Sequence, residues 1–184
     1  LYATIQFSNK LNAIAKDLEA KKIHCMVGHG DLFEGQVLGC DVSTRKDIED
    51  KADANVYFGD GLFHALAIAF ASKKPTFLYN PFTNEFKSLE KEKEKFLRQR
   101  FALMAKAKEA RTFGIIVSTK RGQLRKALAL KMKETIERHG LKAILLGMDY
   151  VRPDYLVGVQ VDALVNTACS RLATDDWFHF SKPL

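Results

Sequence analysis

The chain has no apolar run near the roughly 18 residues that a membrane-spanning helix needs, and no secretory signal opens it. Cysteine is scarce: three in 184 residues, at positions 25, 40 and 169. They are too few and too widely spaced for a disulfide framework, so the thiols are expected reduced and free to act as ligands. No CxxC pair exists, which leaves a zinc ribbon without support. No CxxxCxxC run gathers three cluster ligands on one loop either. The segment STKRGQ at 118–123 lacks the GxxxxGK[ST] spacing of a nucleotide P-loop. Aromatic-rich stacking runs are missing, which ranks a basic RNA-binding module last among the functional readings. The chain opens on Leu1 rather than Met, already in an apolar β-prone run, and its natural start is expected upstream.

What is present reads as a folded α/β protein. A hydrophobic fraction of 47% excludes disorder. The formal charge is 29 − 22 = +7, an excess that serves either solubility or an acidic partner, a nucleic acid or an RNA-associated protein. Strands are expected at 1–7, 23–27, 54–58 and 75–79, with helices at 11–18 and 62–71 and a short one at 43–51. Residues 84–111 read as one long charged helix with an apolar stripe at Phe86, Leu89, Phe96 and Leu103. The same grammar then restarts. A strand at 112–118 leads to a helix at 123–139 with Leu124, Ala127, Leu128, Leu130 and Ile136 inward, stopped by Gly140. Strands at 141–146 and 163–165 follow, with a short helix near 153–157 between them. The repeated pattern predicts two consecutive parallel-sheet α/β domains with right-handed crossovers, 1–110 and 111–184.

Chemistry concentrates in loops. Cys169 follows the apolar run Ala163-Leu164-Val165, and Arg171, Asp175 and Asp176 come within eight residues of it. Cys40 ends a glycine-bracketed loop, GQVLGC. In an open parallel sheet, ligands collect in the crevice beyond the strand ends, and thiolate is the soft ligand that iron–sulfur clusters require. Cys25 falls inside an expected strand and reads as a small buried hydrophobe. Gly59-Asp60-Gly61 sits between a strand and an apolar helix, which suits either a ligand at the helix N-terminus or a plain tight turn. His64, one turn into that helix, is either a satisfied core residue or a site residue. Asp175 and Asp176 can act as acid or base, or cap a helix.

The segments ATIQF (3–7), GQVLGC (35–40), YFGDGLFH (57–64), LYNPF (78–82), FGIIVSTKRGQ (113–123), NTACSRLATDDW (166–177) and KPL (182–184) run through nearly the whole chain. In that order they resemble the archaeal first-step diphthamide synthases, the 2-(3-amino-3-carboxypropyl)histidine synthases. The resemblance implies three related α/β domains per chain, each giving one cysteine to a 4Fe–4S cluster. This sequence resembles the second and third domains; the first, with its cysteine, would precede Leu1. Cys40 and Cys169 are then the metal ligands, expected to approach one another, while Cys25 matches none. S-adenosylmethionine, the co-substrate, would bind at the iron left free by the cysteines. Its homolytic cleavage would release a 3-amino-3-carboxypropyl radical that adds to a histidine of translation elongation factor two. By the same resemblance Gly59, Asp60, Gly61, His64 and Gln123 lie near the cofactor. A cytoplasmic homodimer without membrane or direct nucleic-acid contact is implied, inactive without its first domain. A non-catalytic cluster-bearing or scaffold subunit of the same pathway is the alternative. One departure stands out: the family usually has proline after the third cysteine, and here it is Ser170. Serine would leave the loop looser or add a hydroxyl near the cluster sulfurs.

Overall fold

The computed structural model describes residues 1–184 except Asp31. It contains two compact units, Leu1–Lys95 and Phe96–Leu184. In the first, β1 (Tyr2–Ala3), β2 (Asn55–Phe58) and β3 (Thr76–Asn80) are parallel neighbours, and β4 (Glu85–Ser88) runs antiparallel to β3 at the edge. Gln36 adds a parallel bridge to Ala3 on the far side of β1. Helix α1 (Ile5–Ser8) and helix α2 (Leu11–Glu19) follow β1, and α3 (Leu62–Ala71) connects β2 to β3. The core of this unit packs Tyr2, Val37, Tyr57, Ala65, Ile68, Leu78 and Leu89. At the amino end of β2 the side chain of Asn55 is fully engaged. It accepts from the Tyr2 hydroxyl (3.1 Å) and donates to Ser72 Oγ (2.9 Å), which donates in turn to Glu49 Oε1 (2.7 Å).

The second unit is a three-stranded parallel sheet ordered β6-β5-β7, with β5 at Thr112–Ser118, β6 at Lys142–Met148 and β7 at Ala163–Asn166. Helix α5 (Lys126–Arg138) joins β5 to β6, and Gly140 ends it at φ +75°, a backbone conformation that favours glycine. A short 3₁₀ turn, Pro153–Leu156, precedes β7. The core is Ile116, Val161, Leu164, Ala168, Phe180 and Leu184.

Several local expectations are corrected. Only Tyr2–Ala3 of the 1–7 run is strand, because the Thr4 carbonyl accepts from Phe7 and Ser8 and turns the chain into α1. Residues 23–27 form no strand; Ile23 is 52% exposed and the segment has no ladder partner. Cys25 is therefore half-buried in an irregular segment rather than set in a strand. The 43–51 helix is two 3₁₀ turns, Ser43–Arg45 and Glu49–Lys51. The long charged helix is α4 (Glu90–Ala107) alone. Ahead of it Asn84, at φ +55°, reverses the chain into β4, where Phe86 stacks on Phe77 at 5.3 Å. The helix expected at 123–139 is α5, Lys126–Arg138, and the leucines expected inward are exposed: Leu128 and Leu130 on α5 and Leu124 ahead of it, while Ala129 is buried.

Candidate functional site

In the first unit, chemistry gathers at the carboxyl ends of the parallel strands. Val37 N–H donates to the Ala3 carbonyl, carrying the GQVLGC segment alongside β1 to the strand ends. There the chain reverses: Leu38 and Asp41 exchange hydrogen bonds of 2.7 and 3.1 Å, leaving Gly39 and Cys40 at the tip. Asp41 Oδ1 accepts from the Ser43 N–H at 2.9 Å, and that bond holds its carboxyl below the usual carboxylate range. Cys40 is exposed with a free thiol. The tip is seated on α3. A Cβ on Gly39 would fall 2.1 Å from Cε1 of Phe63, so a ring occupies the space a side chain would need. Phe63 is the second residue of α3 and neighbours His64, the two rings meeting edge-on at 5.1 Å. Cys40 and the Gly59-Asp60-Gly61 turn thus share one corner of the unit.

The turn itself needs glycine for two reasons. A Cβ on Gly59 would come 2.8 Å from the Tyr57 hydroxyl, on a phenol that burial pushes up to about 12. Gly61 has open space around it, but holds φ +72° as the N-cap of α3. Asp60, between them, is exposed.

In the second unit Cys169 lies three residues past β7, with its thiol free and half-buried. Both flanks of its loop are fixed. The Thr167 hydroxyl donates to the Ile116 carbonyl of β5 at 2.7 Å, and Ala168 packs into the core. Asn166 closes the loop from the strand end: its Oδ1 accepts from the Ala168 N–H (2.9 Å) and its Nδ2 donates to the Cys169 carbonyl (2.8 Å). Ser170 begins α6 (Arg171–Thr174) at φ −62°. That is the φ a proline would impose, so the serine leaves this torsion where the usual residue would set it.

Cys169 lines a cleft of about 320 Å³ with Lys120, Gln123, Asp149, Tyr150, Arg171 and Asp176. These side chains come from loops after β5, β6 and β7, at the carboxyl edge of the sheet. Lys120 Nζ lies 3.5 Å from the centre of the Tyr150 ring, a cation–π contact. Arg171 Nε donates to Asp175 Oδ2 at 2.9 Å, so Asp175 neutralises part of that guanidinium while Asp176 faces the cleft. Gln123 and Cys169, distant in sequence, share this one site. Lys120 and Tyr150 are not singled out by spacing; the signal available is a cation and an aromatic, each two residues past a strand end. Cys25 instead lines an apolar hollow with Ile14, Leu18, Val56, Phe58 and Phe86, and burial raises its thiol pKa.

The chemistry of the donors, free thiols in loops, fits the soft ligands that iron–sulfur clusters take. Each unit carries one free thiol in a loop at the carboxyl edge of its sheet. Among the described residues no three His, Cys, Asp or Glu side chains cluster to hold a metal within this chain.

The family model "Putative diphthamide synthesis protein" matches residues 1–184. The 2-(3-amino-3-carboxypropyl)histidine synthase of Pyrococcus horikoshii is 35% identical over 184 residues, 98% of this chain and 52% of that protein. The Methanocaldococcus jannaschii synthase is 30% identical over 94% of this chain and 48% of its own length. Subunit 1 of the Homo sapiens synthase is 28% identical, with 42% of its length covered. The crystal structure of Dph2 from P. horikoshii with a 4Fe–4S cluster superposes with a TM-score of 0.89 at 34% identity, over 99% of this chain and 52% of that one. The chain spans about half the length of the curated relatives it matches. With a family model matched end to end and the fold shared with Dph2, the chain belongs to the diphthamide synthesis family.

Proposed function

We propose that Cys40 and Cys169 are two ligands of a 4Fe–4S cluster in an enzyme that transfers the 3-amino-3-carboxypropyl group of S-adenosylmethionine to a histidine of translation elongation factor two. This is the first step of diphthamide biosynthesis. One observation carries the reading: in each unit a held loop at the carboxyl end of the parallel strands presents one free thiol, while Cys25 lines a separate apolar hollow of the first unit. The names of the relatives, and the cluster in the Dph2 structure, support it. The two α/β domains would be 1–110 and 111–184. The third thiolate is assigned to an α/β domain outside these 184 residues, and the assembly is a cytoplasmic homodimer.

When bound, the cluster supplies the electron that breaks a carbon–sulfur bond of S-adenosylmethionine. This chain's share is holding and orienting. The two thiolates anchor the cluster from separate loops. In the Cys169 cleft, Lys120 and Arg171 suit the carboxylate of the aminocarboxypropyl group, and Asp149 and Asp176 suit its ammonium. Gln123 can hydrogen-bond either group, and Tyr150 lines the same cleft. On the first unit Gly59, Asp60, Gly61 and His64, beside the Cys40 tip, are assigned to cofactor binding.

The test uses the full-length polypeptide carrying these residues, loaded with iron and sulfide anaerobically and reduced. S-adenosylmethionine labelled in its aminocarboxypropyl carbons is offered with elongation factor two. Label should appear on one histidine of the factor. It should fall by at least about 100-fold in Cys40→Ala and in Cys169→Ala, beyond the range of outer-shell substitutions. Undiminished labelling by both variants would contradict the proposal.

A further inference from the structure

We infer that Asn166 is a positioning residue for Cys169, and that its amide group fixes where the thiolate meets iron. The inference rests on the reading of Cys169 as a cluster ligand. Asn166 is the last residue of β7, so its backbone is held by the sheet: Asn166 pairs with Ile116 of β5. From that rigid base its side chain spans the next three residues, accepting from Ala168 N–H at 2.9 Å and donating to the Cys169 carbonyl at 2.8 Å. The same carbonyl accepts the Leu172 N–H at 3.2 Å, at the start of α6. Two donors on one carbonyl fix the plane of the peptide that leaves Cys169. With that plane held, and the Ala168 N–H held one residue upstream by the same amide, the backbone rotations that swing the Cα–Cβ bond of Cys169 are restricted, and side-chain rotation places the sulfur within that range.

The task requires a primary amide. One oxygen must accept and one nitrogen must donate across a three-residue span. Aspartate can accept from Ala168, but it would place a second carboxylate oxygen against the Cys169 carbonyl, acceptor against acceptor. Alanine loses both bonds. The Thr167 hydroxyl bond to β5 would survive either change, so the loop keeps its anchor and loses only its orientation.

The experiment is iron release to a chelator from the anaerobically loaded full-length protein, together with the electron paramagnetic resonance spectrum of the reduced cluster. Asn166→Ala and Asn166→Asp should release iron about 10-fold faster than the parent, the lower end of outer-shell effects on metal affinity, with a changed spectrum. Asp162→Ala is the control. It removes two hydrogen bonds, from the Arg111 and Thr112 N–H groups, at the opposite edge of the same sheet. It should lower the melting temperature of the metal-free protein while leaving iron release and the spectrum at parental values. Release and spectrum unchanged in both Asn166 variants, with Cys169→Ala losing its iron, would overturn the positioning role alone. Retention of iron by Cys169→Ala would overturn the ligand reading beneath it. If Asp162→Ala speeds release as much as the Asn166 variants do, the effect is general loosening of the sheet and the inference fails.

Discussion

Single positions in this chain are decided by space and by torsion, and the two can be separated. Gly39 and Gly61 flank the same corner for opposite reasons. Alanine at Gly39 would drive a methyl into the Phe63 ring, with 2.1 Å to Cε1. A rearrangement of that kind costs about 1–3 kcal/mol and would displace the Cys40 tip with it. Alanine at Gly61 meets nothing within 4 Å, and its cost is the φ of +72° alone, about 1–2 kcal/mol. Urea unfolding should show both variants destabilised. Iron binding by the full-length protein should suffer more in Gly39→Ala, because only that substitution moves the residue beside the thiol. Equal loss of iron in the two variants would mean that the ring contact does not seat the tip. The sequence displayed these glycines as punctuation; it could not show that one of them yields to an aromatic ring two dozen residues away.

Among the elements, those with dense local patterns were legible and those defined by a partner were not. Helix α3 and strand β5 occupy the residues that their apolar runs indicate, Leu62–Ala71 and Thr112–Ser118. The 23–27 run has the composition of a strand but no neighbour to ladder with, and composition does not encode neighbours. Residues 84–89 carry helical spacing by coincidence. There the turn at Asn84 and the stacking of Phe86 on Phe77 win, giving an antiparallel edge to an otherwise parallel sheet. At the amino edge of the second sheet, Asp162 holds β5 and β7 in register. Its Oδ2 accepts from Arg111 and Thr112 at 2.9 and 2.8 Å, and those bonds lower its pKa. A carboxyl whose pKa is lower folded than unfolded adds stability above its unfolded value, near 4, and loses it as pH falls through the folded value. The melting temperature of the parent should therefore drop more steeply below about pH 4 than that of Asp162→Ala. Parallel pH profiles for the two proteins would show that the carboxylate contributes nothing.

For the molecule as a whole, the sequence was legible where a candidate residue follows an apolar strand: Cys169 comes three residues past β7 and Gly59 directly after β2. The Ala163–Val165 run is enough to place Cys169 past a strand, whereas Cys40 is brought to the strand ends by the Val37 N–H bond to the Ala3 carbonyl, since the strand expected at 23–27 does not form. The cleft around Cys169 was less legible. Lys120, Tyr150 and Asp176 come from three separate loops, and only folding gives them a common wall. The central claim, that one thiol from each unit binds iron and Cys25 does not, is tested most directly by counting. Iron and acid-labile sulfide are measured per chain in the full-length protein after anaerobic reconstitution, with the thiolate-to-iron absorption band recorded for Cys25→Ala, Cys40→Ala and Cys169→Ala. Parental iron and an intact band in Cys25→Ala, with both strongly reduced in the other two variants, is the predicted result. Loss of iron in Cys25→Ala, or its full retention in either Cys40→Ala or Cys169→Ala, would contradict it.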